Sequence, residues 1–290
     1  ENLGENRMVV IIGFIVIIGG SLAGFYMAGG TVGLLIHAAE IVTIGAMLFG
    51  CAVIMAPASI LKEIVTGCLN TLKGSPYSKA DYEDLFKMMY ELFQLGRRNG
   101  MIALEEHVMN PEGSSLFKKY EKFHGNERAV DYFCDGLRPL VDGRLKPEQI
   151  GPLMEAGVKH IEHEKHGPVH VMHLVADSMP AFGIVAAVMG IINTMQFLND
   201  TEKVGKMIAA ALSGTFLGIF ISYGVIAPLA VNVHFYNEGD VTYLKVIKAS
   251  VVAFALGLPP LVACEIGRRE IEHRFQPTAG DLETMLKTAK

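Results

Sequence analysis

The chain has 290 residues, is 51% hydrophobic, and carries a formal net charge of −5 at pH 7. That acidic balance gives no basic patch of the kind nucleic-acid binding needs. The charges are also unevenly spread: 8–36, 41–61, 178–199 and 207–233 contain no Asp, Glu, Lys or Arg. A water-soluble fold would have to bury all four runs in one core, which their length excludes.

Each run reaches the roughly 20 apolar residues that carry a helix across about 30 Å of hydrocarbon. The first is long enough to include a turn at Gly29-Gly30. In chain order the expectation is an N-terminal segment (1–7), a first span (8–28), a connection (29–38) and a second span (39–58). A large segment (59–170) follows, then a third span (171–198), a short connection (199–206), a fourth span (207–233) and a tail (234–290). A fifth apolar run, Ala249–Cys264, is about 16 residues long, short for a span, and holds Pro259-Pro260. It is read as a buried or interfacial segment.

Orientation follows the excess of Lys and Arg on the cytoplasmic side. The central segment and the tail (Lys245, Lys248, Arg268, Arg269, Arg274) are rich in both, whereas the first connection has neither. The expected fold is therefore an all-α integral membrane protein. It has four transmembrane helices, a large helical cytoplasmic domain between spans two and three, a cytoplasmic C-terminal tail and cytoplasmic termini. The first apolar run is too long, and lacks a clear small-residue site, for a cleavable signal peptide. Cys51, Cys68, Cys134 and Cys264 are scattered and expected to stay reduced.

Within the central segment, Ser78-Lys79-Ala80-Asp81 has the form of a capping box. Leu85, Phe86, Met89, Leu92 and Phe93 then recur at helical spacing as an apolar stripe. Asn110-Pro111 is a helix stop, and Gly113-Ser114-Ser115 opens a new element through Phe117 and Tyr120. Asp131–Leu140 and Lys146–Glu164 read as two further helices, and Gly167-Pro168 is expected to interrupt the second after His166. Gly20 and Gly24, and Gly214 and Gly218, have the spacing of close helix contacts in lipid, with Gly183, Ala186, Ala187 and Gly190 adding small residues on span three. Small residues at this density on spans three and four favour a surface that receives other helices, such as those of further subunits.

Several residues are candidates for function. Pro180 and Pro228 each remove a backbone hydrogen bond inside a span, and the freed carbonyl must find a partner in lipid. A passive kink is the plain alternative; two such sites on adjacent spans suit a gate or lever. No acid lies deep in a span. Glu40 and Asp177 are placed at span ends, interfacial and not deeply buried, so a titrating carboxylate on any ion path is expected from a partner chain. Thr215 and Ser213 are the polar groups here most able to line that path, although a Thr215 hydroxyl can equally bond its own helix backbone. Arg97, Arg98 and Glu105 form a charged group. On a continuous helix Arg98 and Glu105 would lie about 20° apart, and Arg97 and Glu105 about 80°. That group is either a solvated helix face or a surface that steers a charged protein partner. His160, His163, His166, His170 and His173 could in principle ligate zinc, but no closed ligand set accompanies them, and they are read as a juxtamembrane linker.

The block 177–190, with Asp177 and Pro180, resembles the third transmembrane helix of flagellar motor stator proteins of the A type (MotA), in the MotA/TolQ/ExbB proton-channel superfamily. Ser213–Ala230 resembles the fourth. Gly96–Pro111, Gly257-Leu258-Pro259-Pro260 and Glu265-Ile266-Gly267-Arg268-Arg269 are also similar to that family, and the likeness covers most of the chain. It implies a homo-pentamer in the lipids of the bacterial inner (cytoplasmic) membrane, arranged around two copies of a MotB-like, peptidoglycan-binding stator protein B. Inward ion flow past the B partner's aspartate would turn the pentamer and drive the flagellar rotor. By position Arg97 and Glu105 match the charges facing the rotor switch protein FliG, with Arg98 an additional basic residue. Pro180 and Pro228 match prolines that couple ion flow to torque, and Thr215 matches a threonine beside the ion path. Sodium-driven relatives carry a threonine where this chain has Ala187. A methyl group cannot replace the hydration shell of Na⁺, so the expected ion is H⁺. No enzyme activity, resident cofactor, metal site or nucleic-acid partner is implied.

A three-span energiser of the ExbB or TolQ type would place one span before the central domain, where this chain has two. A defence-associated stator relative shares the inner-span motifs and stays open as an alternative. A histidine-dependent membrane metalloenzyme would need ligands that are missing, and a passive scaffold would conduct no ions with any partner.

Overall fold

The structure, a computed structural model, describes residues 2–72 and 74–288, with the side chains of all of these except 2–7 and 34. Glu1 of the expected N-terminal segment and residues 289–290 of the expected tail lie outside them. The described residues form helices and connections, without a strand. In chain order the helices are α1 (Asn2–Met27), α2 (Ala38–Met55), α3 (Ala58–Thr71), α4 (Lys79–Asn99), α5 (Glu105–Met109), α6 (Ser115–Lys118) and α7 (Glu121–His124). They continue with α8 (Glu127–Val141), α9 (Pro147–Thr194), α10 (Thr201–Ile221), α11 (Ala227–Ala255), α12 (Pro260–Arg268) and α13 (Ala279–Thr288).

Four stretches are long and apolar enough to cross a membrane: Met8–Met27, Ala38–Met55, and windows within Pro147–Phe197 and Thr201–Ala255. The chain is thus a multi-pass membrane protein. The structure divides into two compact units, one made of 1–74 and 165–236, the other of 75–164 and 237–290. Both α9 and α11 run from one unit into the other without a break. Gly167-Pro168 therefore does not interrupt the helix, contrary to expectation. Membrane helices and the helices that feed them accept an internal proline when neighbouring groups or local adjustment take up the freed carbonyl.

In the membrane-type unit, outward positions of α1 such as Ile12, Ile15 and Val16 are more than half exposed. That is the pattern of a helix whose surroundings are lipid or other chains and not its own core. Spans three and four, by contrast, meet backbone to backbone. A Cβ built on Gly183 would lie 2.8 Å from the Gly214 carbonyl oxygen, and one on Gly218 would lie 2.8 Å from the Gly183 Cα and from the Met179 carbonyl oxygen. A Cβ on Gly190 would lie 3.0 Å from that of Ala211. These glycines are consumed within the chain, so they do not form the open receiving surface expected from the sequence. Gly20 and Gly24 on α1 have open space where a Cβ would go.

The second unit has its own apolar core. The stripe expected on α4 is present: Leu85, Phe86, Met89, Leu92 and Phe93 are all fully buried. The α4 helix starts where the capping box places it, with the Ser78 backbone N–H donating to the Asp81 carboxylate at 2.8 Å. The chain after the fourth span returns to this core. Tyr243 stacks on Tyr77 at 4.1 Å between ring centroids, and Phe254 stacks on Phe93 at 4.3 Å. The fifth apolar run is thus a core segment: Val251, Ala263 and Cys264 are fully buried. Burial alone pushes the Cys264 thiol well above its ordinary value, and burial, opposed by Arg138 and helped by Asp135 and Asp131, pushes the Cys134 thiol up to about 12, so neither is a thiolate at neutral pH. Lys245 and Lys248 on α11 pair with Glu162 and Glu155 on α9 at 2.6 and 2.7 Å.

Candidate functional site

Pro180 sits inside α9 and has no N–H to give the carbonyl one turn earlier, that of Ala176. That carbonyl is not left bare. The Ser222 hydroxyl donates to it at 2.6 Å in a fully buried position. The carbonyl freed by a proline on the third span is thereby tied to a hydroxyl on the fourth, 46 residues beyond Ala176 in sequence. Ser222 also opens the one π-helical segment among the described residues, Ser222–Ile226, and its carbonyl accepts the N–H of Ala227. Pro228 follows directly. A proline ring clashes with the carbonyl four residues earlier in a regular α-helix, and a wider turn just ahead of it relieves that clash. Pro180, Ser222, the π turn and Pro228 are one connected irregularity within the first unit.

Ser213 and Thr215, both expected to line the path, differ in their bonding. Ser213 is buried, and its hydroxyl donates to the carbonyl of Ala210 at 2.7 Å and meets the His37 Nδ1 at 3.2 Å. Its hydroxyl is therefore engaged within the chain. Thr215 is half-buried and makes no hydrogen bond to a described side chain or backbone group, so its hydroxyl is available to something outside the chain. Ala187 is buried on the third span. Glu40 departs furthest from expectation. It is only 7% exposed, and its Oε2 has no hydrogen-bond partner among the described residues. It lies against Gly214, whose missing side chain leaves room for it: a Cβ there would be 3.1 Å from the Glu40 Cγ. Sequence reading placed Glu40 by its distance from the ends of the apolar run. The glycine opposite it is a long-range fact that the run does not contain.

The charged group lies in the second unit. The helix carrying Arg97 and Arg98 ends at Asn99, because Gly100 takes φ 85°, a conformation that costs glycine little and other residues much. A 3₁₀ turn, Met101–Leu104, then leads to α5, which starts at Glu105. The continuous-helix geometry expected for Arg98 and Glu105 is therefore replaced by a helix–turn–helix corner. Gly96 holds that corner close: a Cβ there would meet the Phe254 ring at 3.0 Å and the Leu104 side chain at 3.1 Å. On the far side the buried His107 Nδ1 meets the Ser114 hydroxyl at 2.9 Å, and Ser114 accepts the Phe117 N–H at 3.1 Å. α5 stops before Asn110-Pro111, as the sequence indicates. Arg97, Arg98, Glu105 and Glu106 are all exposed, and none is in an ion pair among the described residues. Beside them is a groove of about 1160 Å³ lined by Glu91, Gln94, Arg98, Lys119 and Lys287 among others. Partial burial works to raise the Glu91 carboxyl, but the Lys119 ammonium at 2.7 Å and the Tyr120 hydroxyl at 2.6 Å hold it below its ordinary value. Glu91 is thus neutralised locally, and the unpaired charges of the corner are Arg97, Arg98, Glu105 and Glu106.

The histidine row does not converge. His160 meets Glu164 at 3.3 Å, and the His166 and His170 rings stack at 5.9 Å. Among the described residues no three His, Cys, Asp or Glu side chains gather at metal distance.

Two family profiles match this chain: the motility protein A N-terminal profile over residues 11–100, and the MotA/TolQ/ExbB proton channel family over residues 125–237. Motility protein A of Salmonella typhimurium is 31% identical over 284 residues, spanning 98% of this chain and 96% of that protein. This chain belongs to the motility protein A family. Motility protein A of Escherichia coli is likewise 31% identical over 284 residues, with the same shares of both chains. Chemotaxis protein LafT of Vibrio parahaemolyticus is 31% identical over 264 residues, spanning 91% of this chain and 93% of that one. The fold agrees with solved structures. A chain of the C. jejuni MotAB structure matches with a TM-score of 0.75 at 21% identity, covering 92% of this chain and 96% of that chain. A chain of the flagellar MotAB stator complex from Bacillus subtilis matches with 0.70 at 24% identity, covering 97% and 98%.

Proposed function

We propose that this chain is the A subunit of a flagellar motor stator, which uses inward ion flow to turn the rotor. The observation that carries this is the near full-length identity with motility proteins A. The same observation disfavours a non-flagellar energiser of the ExbB or TolQ type. The subunit transports an ion and performs no covalent chemistry. It lies in the bacterial inner membrane with both termini, the second compact unit and the tail in the cytoplasm. It assembles as a pentamer around two copies of a MotB-like partner that holds the titrating aspartate and binds peptidoglycan. Ions pass between that partner and spans three and four, beside Thr215 and Ala187. The absence of a hydroxyl at Ala187 favours H⁺ over Na⁺.

Each ion passage is coupled to rotation through the Pro180–Ser222–Pro228 irregularity, where a hydroxyl and not a backbone N–H holds span three to span four. A helix segment with a widened turn and a missing rung has more than one hydrogen-bonding arrangement open to it. The exposed corner of Arg97, Arg98 and Glu105 docks on FliG. Unpaired surface charges speed and orient such an encounter without holding it tightly, which suits a contact that must be made and released repeatedly.

Charge inversion tests the docking. The double variant Arg97→Glu, Arg98→Glu is expected to stop rotation while leaving the complex assembled, and a matching inversion of acidic residues on FliG is expected to restore it. Normal rotation of the double variant would remove the corner from the rotor contact.

A further inference from the structure

We propose that Glu40, with His37 one helical turn before it, is a proton-binding site of this chain's own on the ion route, additional to the aspartate assigned to the B partner. The proposal rests on the stator reading above. Its basis is geometric. Glu40 stands in the first turn of α2 and His37 is the residue that caps that helix. The Glu40 stem is wedged where three spans meet: its Cγ would lie 3.1 Å, and the Ala186 Cβ 3.4 Å, from a Cβ built on Gly214. The side chain is more than nine-tenths buried, and its Oε2 has no partner.

Charge makes that environment unusual. On the helices that face Glu40, the stretches 178–199 and 207–233 contribute no charged side chain, and neither does 41–61 after it on its own helix; Asp177 stands at the end of the third span. The nearest titratable group along the chain is His37, three residues earlier, which caps the same helix. Burying a carboxylate with neither counter-charge nor full hydrogen bonding is costly, and taking up a proton removes the charge. An intramembrane acid of this sort commonly marks an ion or proton path.

His37 supplies an entrance to the buried acid. The Ser213 O–H is directed to the Ala210 carbonyl at 2.7 Å, so towards His37 the Ser213 oxygen acts as acceptor at 3.2 Å. That assigns the ring proton to Nδ1 and leaves Nε2 of the neutral imidazole as a proton acceptor. His37 is half-buried and Glu40 buried. A proton taken from water at the imidazole end can be held as the Glu40 carboxylic acid and then released to the next acceptor on the route. An O–H bond of water breaks as an N–H bond forms at His37 Nε2, that N–H breaks as the Glu40 O–H forms, and the Glu40 O–H breaks on release; nothing is oxidised or reduced. Span four carries Gly214 against Glu40 and Thr215 next to it, so each protonation changes the charge beside the helix that lines the path.

Two measurements on the full complex, chain plus B partner in native membranes, test this. Dicyclohexylcarbodiimide, which adds to protonated carboxyls in apolar surroundings, is applied to the wild-type complex over a range of pH, and the modified residues are mapped by mass spectrometry. Glu40 is expected to be labelled, increasingly as pH falls. In cells lacking other stators, Glu40→Gln is expected to slow rotation by about a hundredfold, the scale of a lost positioned proton-transfer group. Glu40→Asp is expected to keep part of the speed with an altered pH profile. No labelling of Glu40 at any pH overturns the proposal, as does wild-type speed with an unchanged pH profile in an assembled Glu40→Gln complex. Should Glu40→Gln fail to assemble, the wild-type labelling decides. If the wild type itself does not rotate any flagellum, the stator reading falls, while the labelling still reports whether Glu40 binds a proton.

Discussion

Gly218→Val will separate the third and fourth spans. A Cβ at that position would lie 2.8 Å from two backbone atoms, the Gly183 Cα and the Met179 carbonyl oxygen, neither of which can rotate away. The added branches make the clash worse, and overpacking of this kind costs about 3 kcal/mol or more. Because the same crossing holds Pro180 and Ser222 together, thermal unfolding of the purified complex should begin at lower temperature and swimming should cease. Gly24→Ala on α1 is the control. No atom lies within 4 Å of a Cβ there, so the change should shift single-chain stability by less than about 0.5 kcal/mol. Equal damage from the two substitutions would mean that the crossing of spans three and four is not where the glycines act.

The second large effect concerns the hydroxyl that replaces a helical rung. Ser222→Ala removes the donor to the Ala176 carbonyl and leaves a buried acceptor unpaired, at a cost of about 1–3 kcal/mol. Pro180→Ala restores an N–H at residue 180 that can bond the same carbonyl within its own helix. The double variant Pro180→Ala, Ser222→Ala should therefore recover much of the stability lost in Ser222→Ala alone, measured as a coupling energy in a double-mutant cycle. Rotation should behave differently. Both Pro180→Ala and the double variant should turn poorly, since a regular helix has lost the alternative arrangement. Strictly additive stabilities would contradict the account of how Pro180 is accommodated. Full torque in the double variant would contradict its role in coupling.

The helices and spans were legible in the sequence because their signals are local. Charge-free runs announce membrane helices, and the Ser78–Asp81 box, the Leu85–Phe93 stripe and Asn110-Pro111 lie within a few residues of what they determine. The two prolines were legible as sites where a carbonyl needs a partner, but not the partner. Ser222 is one of several hydroxyls in an apolar run that also holds Ser213, Thr215 and Tyr223, and nothing in its spacing points to Ala176. The burial of Glu40 was missed for the same reason. Its burial depends on Gly214 and Ala186, which are close to it only in the folded chain. Gly167-Pro168 misled in the opposite direction, since the local rule against proline in a helix yields when a 48-residue helix continues on both sides. The Arg97–Glu105 corner was visible as charge, while its shape was set by one glycine, Gly100, at positive φ.

The most direct test is rotation itself. Cells without their own stators are given this chain and its genomic B partner in sodium-free medium, and the speed of tethered cells is followed as the proton gradient is collapsed. The account predicts rotation that is present before collapse and stops with it. An assembled complex that turns no flagellum, with or without added sodium, would contradict it.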